Sequence, residues 1–332
     1  MRVIDRSVSL CKEYGFGYLI EYILVRAGLK KEMGYWYRNQ SKYEKMDFSE
    51  IEERVKRWYW FNTGRELNLE KPELYTEKLQ WLKLYDCTPE KVLLADKYLV
   101  RNWVKEKIGE TYLVPLLGVW DKPEEIDFAK LPDRYVLKCN HGSHMNIIVN
   151  EKNPLNYKKA IRLLHRWMDT DYAFEEGTCE IQYSEIPRRI IAEEYMENFN
   201  GEMYDYKFFC FDGKVKFIMF LADRNEGLRM ANYDRNWNRL DFYYCTPLEK
   251  DIAKPKNLKE MIEIAETLAE GFCHVRVDLY RLNDGTIKFG EMTFTSASGI
   301  MNWEPKGTDL MLGQYITLPK KKFIPDIYRS DV

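Results

Sequence analysis

Two aspartate–glycine pairs, each set between apolar runs, constrain this chain more than any other feature. Asp212-Gly213 separates Lys207–Phe211 from Lys214–Ala222, and Asp284-Gly285 separates His274–Leu282 from Thr286–Phe294. An Asp-Gly link favours the tight turn that joins antiparallel strands, because both of its positions take a left-handed backbone. The body of the chain is therefore α+β and rich in antiparallel hairpins.

The second hairpin says more. If Asp284-Gly285 is a two-residue turn, Asn283 faces Thr286, Asp278 faces Glu291 and Arg276 faces Thr293. Side chains alternate along a strand, so these last four share one face. Two carboxylates placed opposite each other repel, and a cation between them is expected. It is either a hard divalent ion such as Mg²⁺, held by carboxylates together with substrate phosphates, or a basic side chain such as Arg276 that neutralises a surface pair.

The rest of the chain frames this hairpin. Its 332 residues allow about two domains or lobes at roughly 150 residues each. Hydrophobic residues are 45% and charged residues 31%, an ordinary globular composition. A net charge of −2 gives no global positive field, which argues against non-specific nucleic-acid binding. Seven scattered cysteines, never paired as CxxC, fit reduced thiols in a cytoplasm. No run approaches the roughly 20 apolar residues that span a bilayer, and residues 1–10 do not read as a signal peptide.

Residues 1–45 and 48–85 are expected to be helical. The first segment offers either a packed helix or a peripheral membrane contact through Tyr18, Leu19, Tyr22 and Ile23. Thr88-Pro89 opens a helix expected to run to Ile108 and stop at Gly109. Tyr135–Lys138 is a short strand entering the polar loop 139–146, and Ile147–Val149 resumes as a strand. A helix over Tyr157–Trp167, a strand over Arg189–Met196 and a helix over Leu258–Phe272 complete the pattern.

The loop Cys139-Asn140-His141-Gly142-Ser143-His144-Met145-Asn146 can present backbone N–H groups and small donors to a phosphate. It is neither GxxxxGK[ST] nor GxGxxG. The HxxH spacing of His141 and His144 lacks a third ligand and suits a loop better than a zinc site. Asp169-Thr170-Asp171 matches the DxD of sugar-nucleotide transferases, but it follows a helix rather than a strand and reads as a helix-terminating turn.

Together these pieces resemble the ATP-grasp superfamily, whose elements arrive in the same order. More closely, the chain is similar to the teichuronopeptide-biosynthesis (TupA-like) ATP-grasp family. The stretches that carry the resemblance are LNLEKPELYTEKLQWLKLYD (67–86), ADKYLVRNWVKEKIG (95–109), LPDRYVLKCNHGSHMNIIV (131–149), DYKFFCFDGKVKFI (205–218) and FGEMTFTSASG (289–299). The resemblance implies an ATP-grasp fold, with ATP held between two α+β lobes, and a helical N-terminal extension. It places that extension at 1–90 and a catalytic region at 91–325, divided into a loop lobe near 120–196 and a metal lobe near 197–320.

It also implies roles. Lys97 and Lys138 would contact the ATP phosphates. Asn140, His141, Gly142 and Ser143 would belong to the loop that closes over them. Glu193, Glu194, Tyr195 and Met196 would form the adenine hinge. Asp278, Glu291 and Thr293 would hold Mg²⁺, Lys207 would lie near the γ-phosphate, and Arg276 would stabilise charge on the reacting acyl group. Thr293 stands where the superfamily's metal motif has Asn, and the loop has one Gly where relatives have several, with His144 where small residues are usual.

The implied activity is an ATP-dependent carboxylate–amine ligase that joins an amino acid or other amine to a uronic-acid carboxylate in surface-polysaccharide biosynthesis. The implied setting is the cytoplasm, at the inner face of the membrane if residues 1–45 make that contact. The competing expectations are a glycosyltransferase of polysaccharide assembly, a sugar kinase using the same ATP site, and a nucleotide-binding protein without catalysis.

Overall fold

The computed structural model describes residues 47–321 apart from 175–176, 197–203, 223–228 and 283, together with Ile20 and Ile23. The expectation for residues 1–45 thus falls outside the described residues, those two positions aside. In chain order the elements are helices α1 (Phe48–Thr63), α2 (Tyr75–Tyr85), α3 (Pro89–Ala95) and α4 (Val100–Lys107), then strands β1 (Leu116–Trp120), β2 (Tyr135–Cys139) and β3 (Asn146–Val149). Helix α5 (Tyr157–Asp169) leads to β4 (Ile190–Glu194), β5 (Tyr204–Phe211), β6 (Lys214–Ala222), β7 (Arg229–Tyr233), β8 (Arg239–Leu240) and β9 (Thr246–Pro247). Helix α6 (Leu258–Leu268), strands β10 (His274–Arg281) and β11 (Ile287–Thr293) and helix α7 (Thr308–Gly313) follow. The fold is α+β, as the hairpins required.

Two sheets result. The smaller runs β1-β4-β2-β3, and the larger runs β11-β10-β5-β6-β7-β8, with β9 beside β7. The first Asp-Gly turn is as expected. Phe211 faces Lys214, and Asp212 and Gly213 have φ of 47° and 70°.

The second hairpin reaches its expected pairing by another route. Leu282 N–H donates to the Thr286 carbonyl at 2.9 Å, so the loop is three residues long rather than two. That alone would slip the register by one and put the carboxylates on opposite faces. A bulge restores it. Leu279 faces Phe289 while Asp278 faces Glu291, which leaves Gly290 as the extra residue. Asp278 therefore faces Glu291 and Arg276 faces Thr293.

Alternation along the larger sheet separates its chemistry. Phe208, Cys210, Val275, Val277 and Leu279 point to one face, where they are buried with Met261, Ala265 and Leu268 of α6. Phe209 and Phe211 take the other face, where they pack with Tyr75 and Leu79 of α2. His274 joins them: its Nδ1–H donates to the Cys210 carbonyl at 2.8 Å and its Nε2 accepts from Tyr75 Oη at 3.0 Å. Continuing along this face, apolar residues give way to Arg276, Lys207, Asp278 and Asp205.

The helix expected over residues 89–108 is two helices. Thr88 caps the first through Lys91 N–H at 3.3 Å. The break falls at Asp96, whose Oδ1 accepts from Tyr98 N–H at 2.7 Å and Leu99 N–H at 3.2 Å. A side chain that satisfies the next turn's orphan donors restarts the helix in a new direction. The interruption turns Lys97 toward the polar loop, where its backbone N–H donates to the Asn140 carbonyl at 3.3 Å.

Candidate active site

One face of β5, β10 and β11 carries a checkerboard of charge. Register places Lys207 opposite Asp278 on one side of β10, and Glu291 opposite it on the other. Arg276 Nε donates to Asp278 Oδ1 at 2.7 Å, and its Nη2 reaches Asp278 Oδ2 at 2.8 Å and Glu291 Oε1 at 2.7 Å. Lys207 bonds to Asp278 and lies 2.8 Å from Asp205 Oδ2. Thr293 Oγ1 donates to Glu291 Oε1 at 3.0 Å and accepts from Arg276 Nη2 at 3.0 Å. The cation between the facing carboxylates is thus Arg276, and Lys207 bonds Asp278 from β5.

Burial alone would raise the Glu291 carboxyl. Arg276, Lys207 and Lys97 outweigh burial and hold it down at about 2. Burial pulls the Lys97 ammonium below its usual value, against an attraction from Glu291. The charge on Lys97 and that on Glu291 therefore lie within electrostatic reach of each other, although 194 residues of sequence separate them. Lys207 is held above the usual lysine value; its burial opposes this, and Asp278 overcomes it.

The donors fit a hard cation. Asp278, Glu291 and the Thr293 hydroxyl present only oxygen, and among the described residues no group of three or more His, Cys, Asp or Glu could hold a metal. Two carboxylates without a full protein cage suit Mg²⁺, which keeps waters and takes phosphate oxygens for the rest of its shell.

The polar loop is anchored at its base. Asn140 Nδ2 donates to the Pro187 carbonyl at 2.8 Å, its Oδ1 accepts from Arg189 N–H at 2.6 Å, and its own N–H is taken by the Arg189 carbonyl at 3.0 Å. His141 is 1% exposed, and its Nε2–H donates to the Trp167 carbonyl at 3.0 Å. Both side chains tie the base of the loop to protein backbone, Asn140 to Pro187 and Arg189 and His141 to Trp167. Gly142 is required because a Cβ there would lie 2.8 Å from the Tyr172 ring. Lys97 Nζ donates to the Gly142 carbonyl. HxxH makes no metal site, since His141 is committed to α5 and His144 is exposed.

At the hinge, Lys138 Nζ lies 2.6 Å from Glu193 Oε2. Glu194 N–H is already used by the Pro115 carbonyl at 3.1 Å, so it is not free for a ring edge. The Arg134 guanidinium lies over the Tyr195 ring, 4.8 Å from its centroid, and Met196 ends the described segment. The DxD is a turn: Asp169 closes α5, and Asp171 Oδ1 accepts from Ala173 N–H at 3.0 Å and Ser184 Oγ at 2.8 Å.

Several residues at the site carried no sequence signal of their own. Arg101 reaches Glu193 Oε1 at 2.8 Å, and Asp205 pairs with Lys207. Lys83, from the helical region, is fully buried and donates to Gln80 Oε1 at 2.7 Å, the Thr178 carbonyl at 2.7 Å and the Ser298 carbonyl at 3.2 Å. It thereby steadies Ala297 and Ser298, whose φ of 45° and 52° are costly for residues with a Cβ. For Asp205, its i, i+2 spacing to Lys207 on one strand face is the signal that could have found it.

The chain belongs to the TupA-like ATP-grasp family, which it matches over residues 77–317. It is similar in structure to D-alanine–D-alanine ligase from Bacillus anthracis, with 19% identity over 61% of this chain and 57% of that one, TM-score 0.36. N5-carboxyaminoimidazole ribonucleotide synthetase in its ADP complex gives 14%, 66%, 50% and 0.40. The ATP-grasp ligase PsnB with minimal precursor, Mg and ADP gives 11%, 66%, 57% and 0.34. The chain spans 50% to 57% of the length of these three structures. No curated protein matches it. Among the described residues, no helix is long and apolar enough to cross a membrane.

Proposed function

We propose that the protein is an ATP-dependent ligase that activates a carboxylate as an acylphosphate and passes the acyl group to an amine. One observation, within the family match, supports this most strongly. Arg276 sits on the same face as the Asp278–Glu291 pair and spans both carboxylates. A guanidinium there faces any phosphate held by the pair and any acyl oxygen beside it.

The roles follow from position. Asp278, Glu291 and Thr293 would hold Mg²⁺, which when bound supplies charge neutralisation for phosphoryl transfer. Lys97, Lys138 and Lys207 bring cations to the phosphate chain, and Gly142 and Ser143 supply the covering loop. The carboxylate oxygen attacks the γ-phosphorus and ADP leaves. The amine then attacks the acyl carbon, Arg276 donates to the carbonyl oxygen that gains charge, and phosphate leaves with the other carboxylate oxygen, taking up the proton that the amine loses. An oxyanion donor of this kind is worth about 3 kcal/mol. Glu193 to Met196 form the adenine side, with Glu193 and the Met196 N–H as its polar contacts. The smaller sheet with its loop and the larger sheet with its charged face are the two lobes, and α2, whose Tyr75 and Leu79 pack with Phe209 and Phe211, belongs with the larger sheet. The substrate class is a uronic acid of a surface-polysaccharide precursor, and the partner an amino acid or other amine. No observation favours the glycosyltransferase, since the DxD carboxylate is spent inside a turn.

Hydroxylamine tests this. With ATP, Mg²⁺ and UDP-glucuronic acid as the probe acid, it should trap the acylphosphate as a hydroxamate, with ADP and phosphate released. ADP formed together with a sugar phosphate ester would make the protein a kinase. UDP release without ATP would make it a transferase.

A further inference from the structure

Glu193 has a separate cation on each carboxylate oxygen. Lys138 Nζ lies 2.6 Å from Oε2 and Arg101 Nη1 lies 2.8 Å from Oε1. The two cations are held differently. Arg101 is also fastened through Nη2 to the Val114 carbonyl at 2.8 Å, and its side chain is 14% exposed. Lys138 is 25% exposed, and Glu193 is its one ion-pair partner among the described residues. The neighbouring Pro115 carbonyl takes Glu194 N–H at 3.1 Å, so Arg101, β4 and the segment before β1 are stitched at one point.

This asymmetry matters because Glu193 is 9% exposed. A buried carboxylate stripped of its partner is strongly unfavourable, so a sole cationic partner could not leave it. With Arg101 in place, Lys138 is free to go. The same stretch of chain serves the other end of the site: Lys97, four residues earlier, reaches the Gly142 carbonyl of the polar loop.

We propose that Arg101 is a positioning residue that keeps Glu193 paired while Lys138 transfers from Glu193 to the phosphates of ATP. This rests on the ATP site proposed above. Arg101 thereby couples the adenine end of the site to capture of the phosphate chain. Without it, Lys138 is the last partner of Glu193 and stays there. A ligand with phosphates then loses a cation, whereas adenosine, which needs none, is little affected.

The test uses the full chain, wild type and the variants Arg101→Met and Arg101→Lys, with Mg-AMPPNP and adenosine as probes by calorimetry and competition. Arg101→Met should weaken AMPPNP by about tenfold or more, the size of a lost charge-assisted contact, and adenosine by less than about threefold. Arg101→Lys keeps the charge but cannot hold Glu193 and Val114 together, so its AMPPNP loss should be intermediate. If Arg101→Met does not fold, the AMPPNP-to-adenosine ratio is read from Arg101→Lys. Unchanged affinities, or equal weakening of both probes as a merely structural role predicts, overturn the inference and leave the ATP site standing. Wild-type protein that binds neither probe overturns the ATP site itself and this inference with it.

Discussion

Gly290→Ala probes the device that aligns the two carboxylates. Gly290 is the bulge residue that cancels the one-residue slip made by the three-residue loop. A Cβ added there would lie 3.0 Å from the Asp278 carbonyl oxygen and 3.1 and 3.2 Å from the Tyr280 ring. Comfortable carbon contacts are about 3.5–4.0 Å, so several tenths of an ångström must come from the ring or from β10. The ring can rotate, but the carbonyl belongs to Asp278 itself, so backbone displacement is delivered to the carboxylate pair. Overpacking of this kind costs about 1–3 kcal/mol. Urea unfolding should show that loss, and calorimetry should show Mg-AMPPNP affinity falling by about tenfold, the equivalent of roughly 1.4 kcal/mol. A Gly290→Ala protein with wild-type stability and wild-type Mg-AMPPNP affinity would refute the claim that the bulge sets the site's geometry.

Three further outcomes are expected. Asp96→Ala removes the acceptor for Tyr98 and Leu99 N–H and should cost about 1 kcal/mol of stability in thermal unfolding, with weaker AMPPNP binding because Lys97 loses its direction. His141 and His274 are pushed down by burial to about 4 and about 3, from an ordinary 6.5. The folded state therefore keeps both neutral. Their contribution is full above about pH 6.5 and is lost as pH falls from there, toward 4 for His141 and toward 3 for His274, by up to about 1.4 kcal/mol per pH unit for each. Urea midpoints at pH 7.5, 6.5 and 5.5 should fall in that order, and His141→Gln should flatten the trend; a flat wild-type profile would contradict it. Asp278→Asn and Glu291→Gln should abolish Mg-dependent turnover with ATP and the probe acid while circular dichroism stays native, and wild-type rates in either would remove the metal assignment.

What could be read from sequence, and what could not, divides by range. The turn at Asp212-Gly213 is local chemistry, and it was legible. The facing of Asp278 and Glu291 was legible for an incomplete reason: a longer loop and a bulge offset each other, and neither announces itself in a pattern of period two. The break at Asp96 was hidden because Val92, Leu93, Tyr98 and Leu99 keep helical spacing across it, while the cap that causes it is one side chain's choice. Strand β1 was missed since Leu116–Trp120 is half-buried throughout and shows no alternation. Arg101 and Lys83 were invisible for a different cause. Their meaning lies in partners about 90 residues or more away, Glu193 and Thr178, and no local rule reports such contacts.

The most direct test of the ligase mechanism follows oxygen. A uronic acid labelled with ¹⁸O in its carboxylate is incubated with the protein, ATP, Mg²⁺ and an amine, and the released phosphate is examined by ³¹P NMR. Activation through an acylphosphate predicts that one labelled oxygen per turnover moves from the carboxylate into inorganic phosphate. Release of ADP and phosphate with all of the label still on the sugar acid or its product would contradict it.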